Sequence, residues 1–197
     1  RWMDSAHSNG AFIETFEVRG ATADIVVPSV GGSIGVDEIN NLGYIEVRFQ
    51  GTQDSVIDHS TIDGDELILR DGAGTVIALD AIPTRIEGTD KYRYGLLESL
   101  AIGTYTVEIV VGSFSDTATV PNINLAEFES FMVEQAIATL SDPLPGGVID
   151  REVLNERGYI DIEFTPVRGN VLDAGSIIDT GQEFELNGAD GQNLTID

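Results

Sequence analysis

Residue n of this 197-residue chain matches residue n+115 over dozens of positions, and a repeat of that period confines the fold to units set one after another. The first copy runs Phe12–Val18, then Ala21, Ala23, Pro28, Gly31, Gly32 and Ile34. The second runs Phe128–Val133, then Ala136, Ala138, Pro143, Gly146, Gly147 and Ile149. Both reach the same signature, with Ile39, Asn40, Gly43, Tyr44, Ile45, Val47 and Phe49 answered by Leu154, Asn155, Gly158, Tyr159, Ile160, Ile162 and Phe164. A two-residue insertion then moves the offset to 117, so that Glu66–Leu69 faces Glu183–Leu186 and Leu79-Asp80 faces Ile196-Asp197. Trp2 to Ala6 matches Phe114 to Ala118 in the same way. The expected organisation is the closing strand of one unit over 1–20, a complete unit over 21–139, and the first half of another over 140–197.

Within a unit the pattern is strand after strand. Tyr44–Phe49 alternates apolar and polar residues, as a half-buried strand does. Glu66–Leu69, Thr75–Leu79, Lys91–Leu96 and Thr104–Val111 are similar runs, separated by the turns Asp71–Gly74, Glu87-Gly88 and Ile102-Gly103. Asp37–Leu42 and Leu125–Ser130 are the places where a helical turn fits. Gly31-Gly32 and Gly146-Gly147 read as bends between a linker and a first strand; no Gly-Lys-Ser/Thr follows them, so they are not phosphate cradles. Short strands with regular turns in about 115 residues predict an all-β fold, an Ig-like Greek-key sandwich in tandem.

Charge narrows the partners. Lys+Arg is 10 and Asp+Glu is 34, a net of −24, which repels nucleic-acid phosphates and anionic lipid and favours cations. Nucleic-acid binding and membrane insertion are therefore not expected, and no apolar run approaches the roughly 18 residues that a spanning helix needs. The absence of cysteine excludes thiol catalysis and thiolate metal sites. The opening Arg1-Trp2-Met3-Asp4 reads as an interior point of a longer chain.

The phrases G-S-F-x-D-x-A (Gly112–Ala118), E-x-E-S-F-x-V (Glu127–Val133) and P-x-x-G-G-x-I-D-x-x-x-L-N-x-R-G-Y-I (Pro143–Ile160) resemble the Ig-like repeats of giant bacterial surface and RTX-type adhesins. The resemblance covers nearly the whole chain. It implies an exported, cell-surface or extracellular protein, calcium-dependent rigidity, and a role as an extender or adhesive stalk. The first copy departs from the pattern, with Gly35 where the second has Asp150 and Val27 where it has Asp142.

Candidate chemistry is sparse. His7 and His59 are the two histidines and neither recurs in the other copy; Ser60, His59 and Asp58 are adjacent, and neighbours along a strand or turn point in different directions. No enzyme activity is expected. Calcium needs six to eight oxygens, which acidic loops provide. One candidate loop carries Asp58, Asp63, Asp65 and Glu66, answered by Asp173, Asp179 and Glu183. The other is the junction, with Glu134, Asp142 and Asp150. Neither has EF-hand spacing, and solvated acidic turns are the competing reading. Tyr44 and Tyr159 are expected to be buried rings whose hydroxyls reach a backbone group, and Tyr92 and Tyr94 to share a face with the core.

Three functions fit. The leading one is a structural extender of a repetitive extracellular adhesin, partnered by its neighbouring units. The others are a glycan- or surface-binding sandwich using the Asp58–Glu66 loop, and an accessory domain of a secreted hydrolase. Head-to-tail self-association is a further expectation, in which Trp2–Val18 of one chain would complete by strand addition the half unit bearing Ile160, Ile162, Phe164, Phe184 and Leu186. A half unit completed by residues outside the given sequence is the competing explanation.

Overall fold

The computed structural model describes residues 13–15, 18–181, 183–187 and 193–194. The strand-addition expectation, which rests on Trp2–Val18, lies mostly outside them. The chain is mostly β. In order the elements are β1 (Thr22–Val27), β2 (Ser33–Gly35), α1 (Val36–Leu42), β3 (Tyr44–Gln50), a 3-10 turn (His59–Thr61), β4 (Leu67–Arg70), β5 (Val76–Ile77) and β6 (Thr84–Arg85). There follow β7 (Lys91–Gly95), β8 (Gly103–Ile109), β9 (Glu127–Glu134), β10 (Ile137–Asp142), α2 (Arg151–Arg157), β11 (Asp161–Thr165), α3 (Ala174–Ile177), β12 (Leu186–Asn187) and β13 (Asn193–Leu194).

Two larger sheets share one core. The first has the order β1-β3-β7-β6 and the second β2-β9-β8-β4-β5, an arrangement consistent with a β-sandwich. Pairing is antiparallel except for β2 with β9, which is parallel. Alternation along the strands sends Ile45, Val47, Phe49, Tyr92 and Tyr94 inward from one sheet and Leu67, Leu69, Val107, Ile109, Phe131 and Val133 from the other. Phe114 packs edge-on to Phe49 with ring centroids 4.8 Å apart. At the open side, buried Glu129 of β9 accepts the Ile25 backbone N–H at 2.7 Å and ties the two sheets together.

Several expectations change here. Leu125–Ser130 holds no helical turn: β9 begins at Glu127, and Glu129, Phe131 and Val133 are buried in turn, a period of two. Gly31-Gly32 is not preceded by a linker, because β1 already lies before it. Gly31 has φ +65°, its N–H donates to the Ser130 carbonyl at 2.7 Å, and the turn leads β1 into β2. The helical turn over Asp37–Leu42 is present as α1, which buries Ile39 and ends on Gly43 at φ +68°. Tyr44 is not buried. Ile45 takes the inward position, so Tyr44 faces out, and the Arg93 guanidinium lies 4.4 Å from its ring centroid. Tyr159 is likewise exposed, with Arg157 4.5 Å above it.

Residues 137–142 form β10, antiparallel to β11, so residues 137–139 belong with the later sheet. The β10–β11 register breaks between Leu140 and Asp142, and β1–β3 breaks between Ile25 and Val27. Both breaks precede a cis X-Pro bond, Val27–Pro28 and Asp142–Pro143. The helix α2 ends on Gly158 at φ +73°, as α1 does on Gly43.

Candidate functional site

The acidic loop between β3 and β4 is organised by its own carboxylates and by two tyrosines of β7. Asp58 opens the 3-10 turn: its carboxylate accepts from the Ser60 N–H at 3.0 Å and hydroxyl at 2.6 Å, and the hydroxyl bond above all holds its pKa below the usual value. Ser60 is thereby turned away from His59. The His59 ring instead meets Tyr92 Oη through Nδ1 at 2.9 Å and Asp90 through Nε2 at 3.2 Å, and burial first, then Arg85, lowers its pKa. Ser60, His59 and Asp58 form no nucleophilic relay.

Asp63, Asp65 and Glu66 come together, each offering a carboxylate oxygen within 4.8 Å of the others. Glu66 is fully buried; it accepts from the Gly64 N–H at 3.0 Å and from the Tyr94 hydroxyl at 2.7 Å, and also from the Asp63 N–H. These bonds occupy most of a carboxylate's lone-pair directions. Burial and then the Glu66 charge push the Tyr94 pKa far upward, which leaves the phenol a donor at all ordinary pH. Asp63 and Asp65 are exposed. Burial first, then the charges of Asp63 and Glu66, raise the Asp65 pKa. Gly64 makes the turn possible: it sits at φ +112°, and a Cβ there would collide with the Ala81 carbonyl.

The other candidates are not gathered in this way. Among the described residues, Asp63, Asp65 and Glu66 are the one group of three within metal-ligating reach. Asp58 is spent on its cap. Asp173 has the same task, accepting the Gly175 N–H at 2.9 Å at the start of α3, so the recurrence of Asp58 as Asp173 is a recurrence of capping. Asp179 accepts the Gly181 N–H, and Glu183 is exposed beside an open apolar cleft near Phe164 and Leu172. At the junction Asp150 caps α2 through the Glu152 N–H at 2.8 Å, Asp142 pairs with Arg157 at 2.6 Å, and Glu134 accepts the Arg168 N–H at 3.5 Å.

Three polar residues that bridge loops, the half-buried Asn40 and the buried Asp116 and Asn124, escaped the sequence reading. Asn40 pairs with Leu100 in both directions, donating to its carbonyl at 3.0 Å and accepting its N–H at 2.8 Å. Asp116 collects the Thr52 N–H and hydroxyl and the Asn122 N–H and amide. Asn124 accepts the Phe114 N–H at 3.2 Å and donates to the Val110 carbonyl at 2.7 Å. The recurrence of Asn40 as Asn155 was the available signal. Among the described residues no helix is long and apolar enough to cross a membrane. Comparison with protein-family models and with curated proteins gives no match to this chain.

Proposed function

We propose that the chain is a length of extracellular spacer, in which Ig-like sandwich units in tandem set the distance between a surface and an adhesive tip, as in the bacterial adhesin repeats it resembles. The observation that carries this reading is a strand–turn–helix–strand segment that returns 115 residues later with the same register break and the same glycine-ended helix. Units that recur in line contact mainly their neighbours, so length grows with copy number at little cost in design. The acidic surface keeps such rods apart from one another and from anionic membranes. Small-angle scattering of the chain, and of a version with residues 21–136 duplicated in line, tests it. A spacer lengthens by about 35 Å per unit, the diameter of a globule with radius of gyration ~13 Å. An unchanged maximum dimension would mean that the units fold back, and would sink the reading.

The same proposal includes calcium. Asp63 and Asp65 suit a hard cation: they are exposed and converge with Glu66. Glu66 would act as the anchor that sets the loop, since its oxygens are already engaged by Gly64 and Tyr94. Two carboxylates leave most of the six to eight oxygens to water and backbone, which fits the weak sites of extracellular modules, with Kd of about 0.1–1 mM.

A further inference from the structure

We infer that Val167 is a plug that seats the loop after β11 against the β2–α1 end of the preceding unit and fixes the angle between the two. Val167 is 8% exposed, whereas Val171 and Ile178 in the same stretch are 90% and 81% exposed. The residue it approaches is Gly35: a Cβ on Gly35 would stand 3.8 Å from Val167 Cγ2. The residues next to this contact in sequence, Ile34 and Arg168, line one cleft together with Val27, Pro28, Glu38 and Asn170. Beside it the Arg168 N–H reaches the Glu134 carboxylate at 3.5 Å. β9 ends at Glu134 and β10 begins at Ile137, so Gln135 and Ala136 alone join the two units.

Domains joined by a small interface ordinarily move against each other. Here the two-residue connection removes most of that freedom, and the plug need restrain only what is left. The two copies differ at both sides of the contact. The counterpart of Val167 is Thr52, which spends its N–H and hydroxyl on Asp116 within its own unit. The counterpart of Gly35 is Asp150, whose side chain caps α2, while Gly35 gives α1 no side-chain cap. Gly35 thus forgoes a helix cap, and a side chain placed there would stand in van der Waals contact with the valine. A carboxylate at the same place would have to be desolvated against the valine, so the pair acts as a rule for which unit follows which. The contact stands apart from the spacer reading: a binding module could have the same joint, and a spacer could lack it.

The chain has no cysteine, so Glu87→Cys and Glu163→Cys, both at exposed positions in different units, can carry two spin labels without interference. Pulsed electron resonance on the full chain should give one narrow distance distribution. It should stay narrow in Val167→Ile and broaden in Val167→Asp and in Gly35→Asp. The second broadening variant lies in the first unit and supplies α1 with the cap that α2 has, so unfolding of β11 cannot cause its effect. A broad distribution in the parent pair, a narrow one in Val167→Asp, or broadening by Val167→Asp without Gly35→Asp would each overturn the inference.

Discussion

Glu66 shows how one buried carboxylate can organise a loop. It lies just before β4 with zero exposure, so its charge must be met by hydrogen bonds, and the Gly64 and Asp63 N–H groups and the Tyr94 hydroxyl meet it. Tyr94→Phe keeps the ring in the core and removes one donor to an ionised acceptor. The expected loss is about 1.5–3 kcal/mol, since hydrogen bonds to charged groups are worth that much and Glu66 would be left short. Urea unfolding at neutral pH measures it; a change below ~0.5 kcal/mol would mean that Glu66 finds water instead. The acidity of Glu66 was legible in the sequence and its burial was not. Asp63, Asp65 and Glu66 look alike in a string of letters. Only Glu66, in the bend just before β4, is buried, where Tyr94 of the facing sheet donates to it.

Among the elements, the loops that follow β3 and β8 are tied by Asp116, which takes donors from Thr52 and Asn122 on opposite sides. Burial by itself would raise its pKa, but these hydrogen bonds outweigh burial and hold the carboxyl well below the ordinary value. A folded-state pKa depressed in this way contributes stability that is fully present above the unfolded value of about 3.9. That contribution fades as pH falls below about 4, while the folded carboxylate still resists protonation. Asp116→Asn should therefore lower the melting midpoint by several degrees at pH 7 and by less at pH 3. Thermal melts of both proteins at the two pH values check this, and equal differences would show that Asp116 acts by shape rather than charge. The strands themselves were largely legible: β3, β4, β7 and β8 fall within a residue or two of the alternating runs. The miss at β9 has a physical cause. Glu127 and Glu129 are weak strand formers that interrupt the apolar pattern, and Glu129 is accommodated inward because the Ile25 N–H across the sheets gives its carboxylate a partner.

At the scale of the molecule the dominant fact is a net charge of −24, which strains the folded state at low salt. Raising sodium chloride should raise the melting midpoint by screening alone, because a Debye length of about 10 Å at 0.1 M shortens the reach of surface repulsion. Calcium at matched ionic strength should raise it further. A cation that binds only the native state adds about 1.4 kcal/mol at tenfold excess over Kd. Comparing melts in calcium and in EDTA separates the two effects. Asp63→Asn with Asp65→Asn should abolish the calcium increment and leave the sodium chloride effect; an unchanged midpoint in the parent chain would remove calcium from the account.

The sequence alone determined the period, the strand-rich character and the helical turn after β2, whereas α2 and α3 fall where no helical turn was expected. The period and the strands follow from a match of residue n to residue n+115 and from alternation. Tertiary structure decided which of ten candidate carboxylates meet. Asp63, Asp65 and Glu66 converge; Asp58, Asp150 and Asp173 cap turns or helices, and Asp142 pairs with Arg157. It also decided that Tyr44 and Tyr159 lie outside under arginines, and that Val167 lies against Gly35. Those outcomes depend on partners far apart in the chain, brought together by sheet pairing. A carboxylate's role is set by the donor or charge it meets there, which its own neighbours in sequence do not specify.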